Sequence, residues 1–141
     1  MYRDGKGIGQ DYHQAVKWFR RAAEQGEVDA QVNLGFMYGK GQGVATDYQQ
    51  AFNWYRKAAE QGDENGEYAL GVIYSNGRGV PKDLVRSYMW YSISAASSAG
   101  TDQQDAAQRR DKIAAKLTPA QLSQAQQMAA KCQGSGFKNC D

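Results

Sequence analysis

Between residues 47 and 62 the apolar positions fall at helical spacing: Ala51, Trp54, Tyr55, Ala58 and Ala59 share one face, while Asn53, Arg56, Lys57 and Glu60 cover the other. The pattern predicts an amphipathic helix with one buried side. Asp47 precedes it and Gln50 follows three residues later, which is N-cap and capping-box chemistry. Asp11 with Gln14 repeats that arrangement, and Asp83 keeps the cap alone. Gly26 and Gly62 each follow Ala-Ala-Glu-Gln, where a left-handed residue ends a helix and turns the chain. A shorter helix is predicted from Asp29 to Tyr38, joined to the longer one by the glycine-bearing loop 39–46. At 100° per residue, Ala30, Leu34 and Tyr38 lie on its core side, and Asp29, Val32 and Phe36 point the opposite way.

This helix–loop–helix unit recurs every thirty-six residues. Tyr2, Tyr38 and Tyr74 fall in step, as do Trp18, Trp54 and Trp90, with Gly5, Gly41 and Gly77 and Asp11, Asp47 and Asp83 between them. A period of this length predicts an all-α array of antiparallel helix pairs in which no unit buries its apolar face alone. The predicted division is a single domain over 1–131, with units 1–28, 29–64 and 65–100, a C-terminal cap over 101–131 and a tail over 132–141. Each tryptophan is expected to fill the space between units, a gross burial of about 4 to 6 kcal/mol. Met1-Tyr2 matches positions that close a helix in later units, so the chain reads as starting within a repeat. Preceding sequence, a leader included, or a first helix face left for a second copy are the two expectations.

The third unit drifts. Ser87, Ser94 and Ser98 replace small or glycine positions, and the turn 97–100 reads as longer than its counterparts. The next helix, about 102–117, is predicted to place Arg110-Asp111 where the second unit has Leu34-Gly35, as suits a terminal unit that meets water. Thr118-Pro119-Ala120-Gln121 supplies an N-cap, a proline at the first helical position and a capping-box glutamine for a last helix to about Lys131.

Charge narrows the partners. Seventeen Lys and Arg against fifteen Asp and Glu leave +2 with the signs interspersed, which gives no basic stripe for nucleic acid. No apolar run reaches the ~18 residues that cross a bilayer, so membrane insertion is not expected. Cys132 and Cys140 are separated by a flexible, glycine-bearing stretch that lets the sulfurs meet. A disulfide there favours a periplasmic or secreted location, with the cytoplasm as the alternative. Cys132 also continues the apolar face Leu122, Ala125, Ala129, so a buried thiol is the other reading. The single histidine, His13, read at the first turn of a helix, has no partner for a metal site. No metal and no cofactor are expected.

The assembled pattern, with Leu-Gly, Tyr, a Gly-x-Gly loop, Asp, Ala, Trp-Tyr and Ala-Ala at fixed offsets, resembles the Sel-one-like repeat, a relative of the tetratricopeptide repeat, over residues 1 to about 100. The segment Arg110 to Gln121 resembles the C-terminal cap of bacterial members. The resemblance implies a right-handed α/α superhelical solenoid and a scaffold or adaptor role in protein–protein or protein–peptide interaction. By the same likeness the face carrying Asp29, Val32, Phe36 and Lys40, with Asn65, Tyr68, Val72 and Asn76 one repeat later, lines a concave groove for a protein or peptide ligand. The competing expectation for Phe36 and Tyr68 is packing against neighbouring first helices.

Two motifs point elsewhere. Gly5-Lys-Gly-Ile-Gly9, Gly39-Lys-Gly-Gln-Gly43 and Gly77-Arg-Gly79 are similar to phosphate-cradling loops, but they follow helices rather than strands and recur once per repeat. Ser135-Gly-Phe-Lys138 has the serine–lysine spacing of penicillin-recognising enzymes, and some members of the family bind or hydrolyse β-lactams. The further Ser-Asp-Asn and Lys-Thr-Gly elements of that chemistry are missing here. The chain therefore reads as a non-catalytic interaction module, with an envelope enzyme acting on β-lactam or peptidoglycan as the first alternative. A structural oligomer, self-associating through the first repeat, is the second.

Overall fold

A computed structural model of the chain describes residues 8–141, with side chains from residue 11 onward. Among the described residues seven helices follow one another: α1 (Ile8–Glu24), α2 (Val28–Lys40), α3 (Tyr48–Glu60), α4 (Glu64–Asn76), α5 (Leu84–Ser97), α6 (Gly100–Ala114) and α7 (Pro119–Gly134). There is no strand among the described residues. Each helix packs on its successor through α6, and α7 returns onto α5, so the helices stack as antiparallel pairs. Tyr2 and Gly5, on which the first-repeat reading depends, lie outside the described residues.

The helix ends obey the chemistry of their residues. Asp47, Asp63 and Asp83 accept hydrogen bonds from the backbone N–H of Gln50, Gly66 and Arg86, and Thr118 with Gln121 forms a complete capping box ahead of Pro119. Gly41 and Gly77 close α2 and α4 in the left-handed region. Asp11 is the exception. Helix α1 begins at Ile8, so Asp11 sits inside its first turn rather than at a cap, and His13 lies deeper in the helix than the first turn. The His13 Nδ1 is 3.3 Å from the Gly43 carbonyl oxygen.

Close approach explains why the repeat keeps glycine. A Cβ on Gly43 would stand 2.4 Å from the Tyr12 carbonyl oxygen, and one on Gly79 2.7 Å from that of Tyr48, so each loop lies against the backbone of the preceding long helix. Gly71 presses on the Tyr91 ring in the same way, with the nearest ring carbon 2.7 Å from an added Cβ. The loops are thus packing devices rather than anion cradles.

The tryptophans meet the burial expectation unequally. Trp90 is fully buried against Ala59, Leu70 and Tyr74; Trp54 is half-buried on the α1–α2 core; Trp18 is 66 % exposed, with the Arg21 guanidinium over its ring. An indole of this repeat faces the pair that precedes it, and Trp18 has no described pair before it. Arg56, expected on the wet face, instead lies over Trp90 and forms ion pairs with Asp141 at 2.9 Å and Glu60 at 3.4 Å. Its guanidinium carbon stands 5.7 Å from the indole ring centroid while its nitrogens reach the two carboxylates.

The C-terminal region is integral to the core. Cys132 and Cys140 form a disulfide, both residues are buried, and Phe137 packs on the same cluster as Trp90. The Phe137 ring fills the space beside Gly62, where a Cβ would come within 3.1 Å. Two details of the third unit and cap are also corrected. The turn between α5 and α6 is short, Ser98-Ala99, because α6 starts at Gly100. Ala106, thirty-six residues after Leu70, is the fully buried position of α6, so it and not Arg110 continues the Leu34 series.

Candidate functional site

Of the eight residues singled out on the first helices, six divide between two recesses. Phe36 and Lys40 of α2 and Val72 and Asn76 of α4 line one recess of about 130 Å³, together with Tyr48 and Tyr55 of α3. Ala51, Val72 and Ile73 give it an apolar lining between α2, α3 and α4. Phe36 remains 46 % exposed and Tyr48 40 %. Lys40 Nζ stands 5.9 Å from the Phe36 ring centroid, and the Arg78 guanidinium carbon 5.4 Å from that of Tyr48.

Asn65 and Tyr68 belong to a second recess, about 190 Å³, at the other end of α4. It is polar and acidic, shared with Glu64, Asp102 and Asp105. The Tyr68 hydroxyl donates to Asp105 at 2.5 Å, its ring meets Tyr91 edge-on at 5.5 Å, and Arg109 lies over its other side. Burial first, and then the bond to Asp105, raise the Tyr68 hydroxyl above the ordinary tyrosine range. Tyr68 is therefore largely engaged by the cap, as the packing expectation had it, whereas Phe36 is not. Asp29 and Val32 line neither recess; Asp29 is exposed, and its carbonyl accepts from Asn33 Nδ2 at 2.8 Å.

Tyr48, Tyr55, Ile73 and Arg78 escaped the sequence reading. Tyr48 and Arg78 carried a signal: Arg78 belongs to the Gly77-Arg-Gly79 loop, and Gly79 rests on the Tyr48 backbone. Tyr55 was assigned to the core alone, and burial raises its hydroxyl to about 12.

The serine–lysine motif is occupied by helix termination. Ser135 Oγ donates to the Cys132 carbonyl at 2.9 Å and accepts from the Asn139 N–H at 2.9 Å, so its proton is directed at a backbone oxygen rather than at a base. No group of three His, Cys, Asp or Glu among the described residues could hold a metal ion. No described helix is long and apolar enough to cross a membrane.

One buried carboxyl stands out. In the second unit Gln31 donates to the Ala23 carbonyl at 3.2 Å and accepts from Gln61 Nε2 at 2.9 Å. Thirty-six residues later these positions hold Glu67 and Ser97. Glu67 is completely buried and neither carboxyl oxygen has a hydrogen-bond partner. Burial pushes its carboxyl pKa up to about 7, opposed in part by the nearby Ser97 hydroxyl and reinforced by Asp63 and Glu64.

The Sel1 repeat signature matches residues 1–27, 28–63 and 65–98. Among solved structures, c5321, a protective antigen present in uropathogenic Escherichia coli strains and displaying an SLR fold, is 35% identical over 92% of this chain with a TM-score of 0.84. A Sel1 repeat protein from Oxalobacter formigenes is 37% identical over 65% of this chain with a TM-score of 0.63. The chain spans 28% and 27% of the lengths of those two proteins. No curated protein matches it. The fold is accordingly the right-handed α/α solenoid of the SLR proteins, and Sel1 repeats generally serve as protein–protein interaction scaffolds. This chain belongs to the Sel1 repeat family.

Proposed function

We propose that this chain is a non-catalytic interaction module that takes up a protein or peptide segment along the face of α2 and α4. The observation that supports it is the half-exposed Phe36 beside Val72 in an apolar recess that the protein's own helices leave open. A large aromatic at the mouth of a side-chain-sized pocket is the kind of anchor on which binding energy concentrates. Asn65 and Tyr68 extend the face toward α6, where polar groups would orient the ligand rather than hold it. Titration of a partner recovered by affinity capture against Phe36→Ala and Tyr68→Ala variants tests the reading. Phe36→Ala should weaken binding at least tenfold with an unchanged thermal melt, and equal affinity would refute the groove.

A second reading, self-association, is favoured by the exposed Trp18 indole. Sedimentation over a concentration series would show a dimer that Trp18→Ala abolishes. The buried Cys132–Cys140 bond supports a periplasmic or secreted setting, which a mass comparison of native protein with and without reductant would check.

A further inference from the structure

We infer that the recess between α2, α3 and α4 selects a peptide in which one large apolar residue is flanked by aspartate or glutamate side chains. This rests on the groove reading above and narrows its partner. The recess is close in size to the apolar cavity of ~150 Å³ that admits a benzene-sized group, so it receives one side chain of leucine to phenylalanine size. Its walls, Phe36, Tyr48, Tyr55, Val72 and Ile73, offer that side chain only carbon surface and the tyrosine hydroxyls.

The rim supplies the charge preference. Lys40 and Arg78 stand over the two aromatic walls, Phe36 and Tyr48, and no carboxylate lines the recess. Among the described residues neither cation has a carboxylate within 4.0 Å. An exposed cation on an aromatic face gains only about 0.5–1 kcal/mol, so an incoming carboxylate can recruit it without breaking an ion pair. The recess at the far end of α4 carries the opposite sign, with Glu64, Asp102 and Asp105. Acidic flanks are repelled there and attracted at the Lys40–Arg78 end, which fixes where along the face the anchor enters. The apolar residue supplies affinity and its neighbours supply register.

Panning a phage-displayed library of random twelve-residue peptides against the intact chain, then titrating synthetic winners, tests this. Enriched peptides should carry Leu, Ile, Phe or Trp beside Asp or Glu, and changing those acids to Asn or Gln should weaken binding tenfold or more. Lys40→Glu with Arg78→Glu should abolish binding of the same peptides, Lys40→Gln with Arg78→Gln should weaken it, and Lys40→Arg with Arg78→Lys should retain it. The melts of these exposed-site variants should match the parent. Winners that are neutral or basic around the anchor, or acidic winners indifferent to both charge-removing pairs, overturn the inference. Neutral winners that still depend on Phe36 would overturn it alone and leave the groove standing. Failure of any peptide to enrich would overturn both.

Discussion

Glu67 is a carboxylic acid in a place built for an amide. The folded chain prefers it protonated, since its carboxyl pKa lies near 7 against 4.5 for a free glutamate. Its contribution to stability is therefore full below about pH 4.5, falls as pH rises toward 7, and stays lost above that. At about 1.4 kcal/mol per unit the loss is roughly 3 to 4 kcal/mol. Glu67→Gln should raise the free energy of unfolding by urea at pH 8 by an amount of that order and make little difference at pH 4.5; an equal gain at both would show that charge is not the cause. Substitution of the tryptophans separates position from type. Trp90→Ala should cost about 3–5 kcal/mol as a fully buried indole, and Trp18→Ala within about 0.5 kcal/mol, both by equilibrium unfolding. The period showed that these residues are equivalent, but burial depends on what precedes each one, which no local pattern encodes. Glu67 was legible only by reading it against Gln31, together with the exchange of Gln61 for Ser97 that removes its partner.

At the scale of elements, caps and glycine stops were readable because they are local. Asp47, Asp83 and Thr118 each need only a backbone N–H three residues away, and each has it. Asp11 has the same sequence environment as Asp47, yet α1 continues through it to Ile8, so a cap signal yields where the helix can extend further. Glycines that serve packing required the fold to be understood. Gly71→Ala should destabilise by about 1–3 kcal/mol despite alanine's better helix propensity, because the Tyr91 ring must shift within a closed core. A denaturation midpoint equal to or above the parent's would show that the ring has room. The C-terminal segment was the least legible element. Its glycines and polar residues read as a tail, but Phe137 and the disulfide bind it to α3, α5 and α7. Replacing both cysteines by alanine should lower stability by about 2 to 3 kcal/mol for a loop of this length, with faster amide exchange over residues 135–141. Exchange unchanged there would mean that Phe137 alone holds the segment.

The whole molecule is an array whose inner helices expose two kinds of surface at the two ends of α4. One end is acidic and tied into the cap through Tyr68 and Asp105; the other is apolar, open and edged by cations. Of the residues that the periodic pattern singled out, Phe36, Lys40, Val72 and Asn76 meet in one recess. That pattern left open whether Tyr68 faces a ligand or packs on the next first helix, and α6 engages it through Asp105 and Arg109. The account depends on the open end being where a ligand rests. Amide chemical-shift mapping with the tightest-binding selected peptide tests that most directly: perturbations should centre on residues 36–40, 48–55 and 72–78, and shifts confined to α7 or to the turn around Trp18 would contradict it.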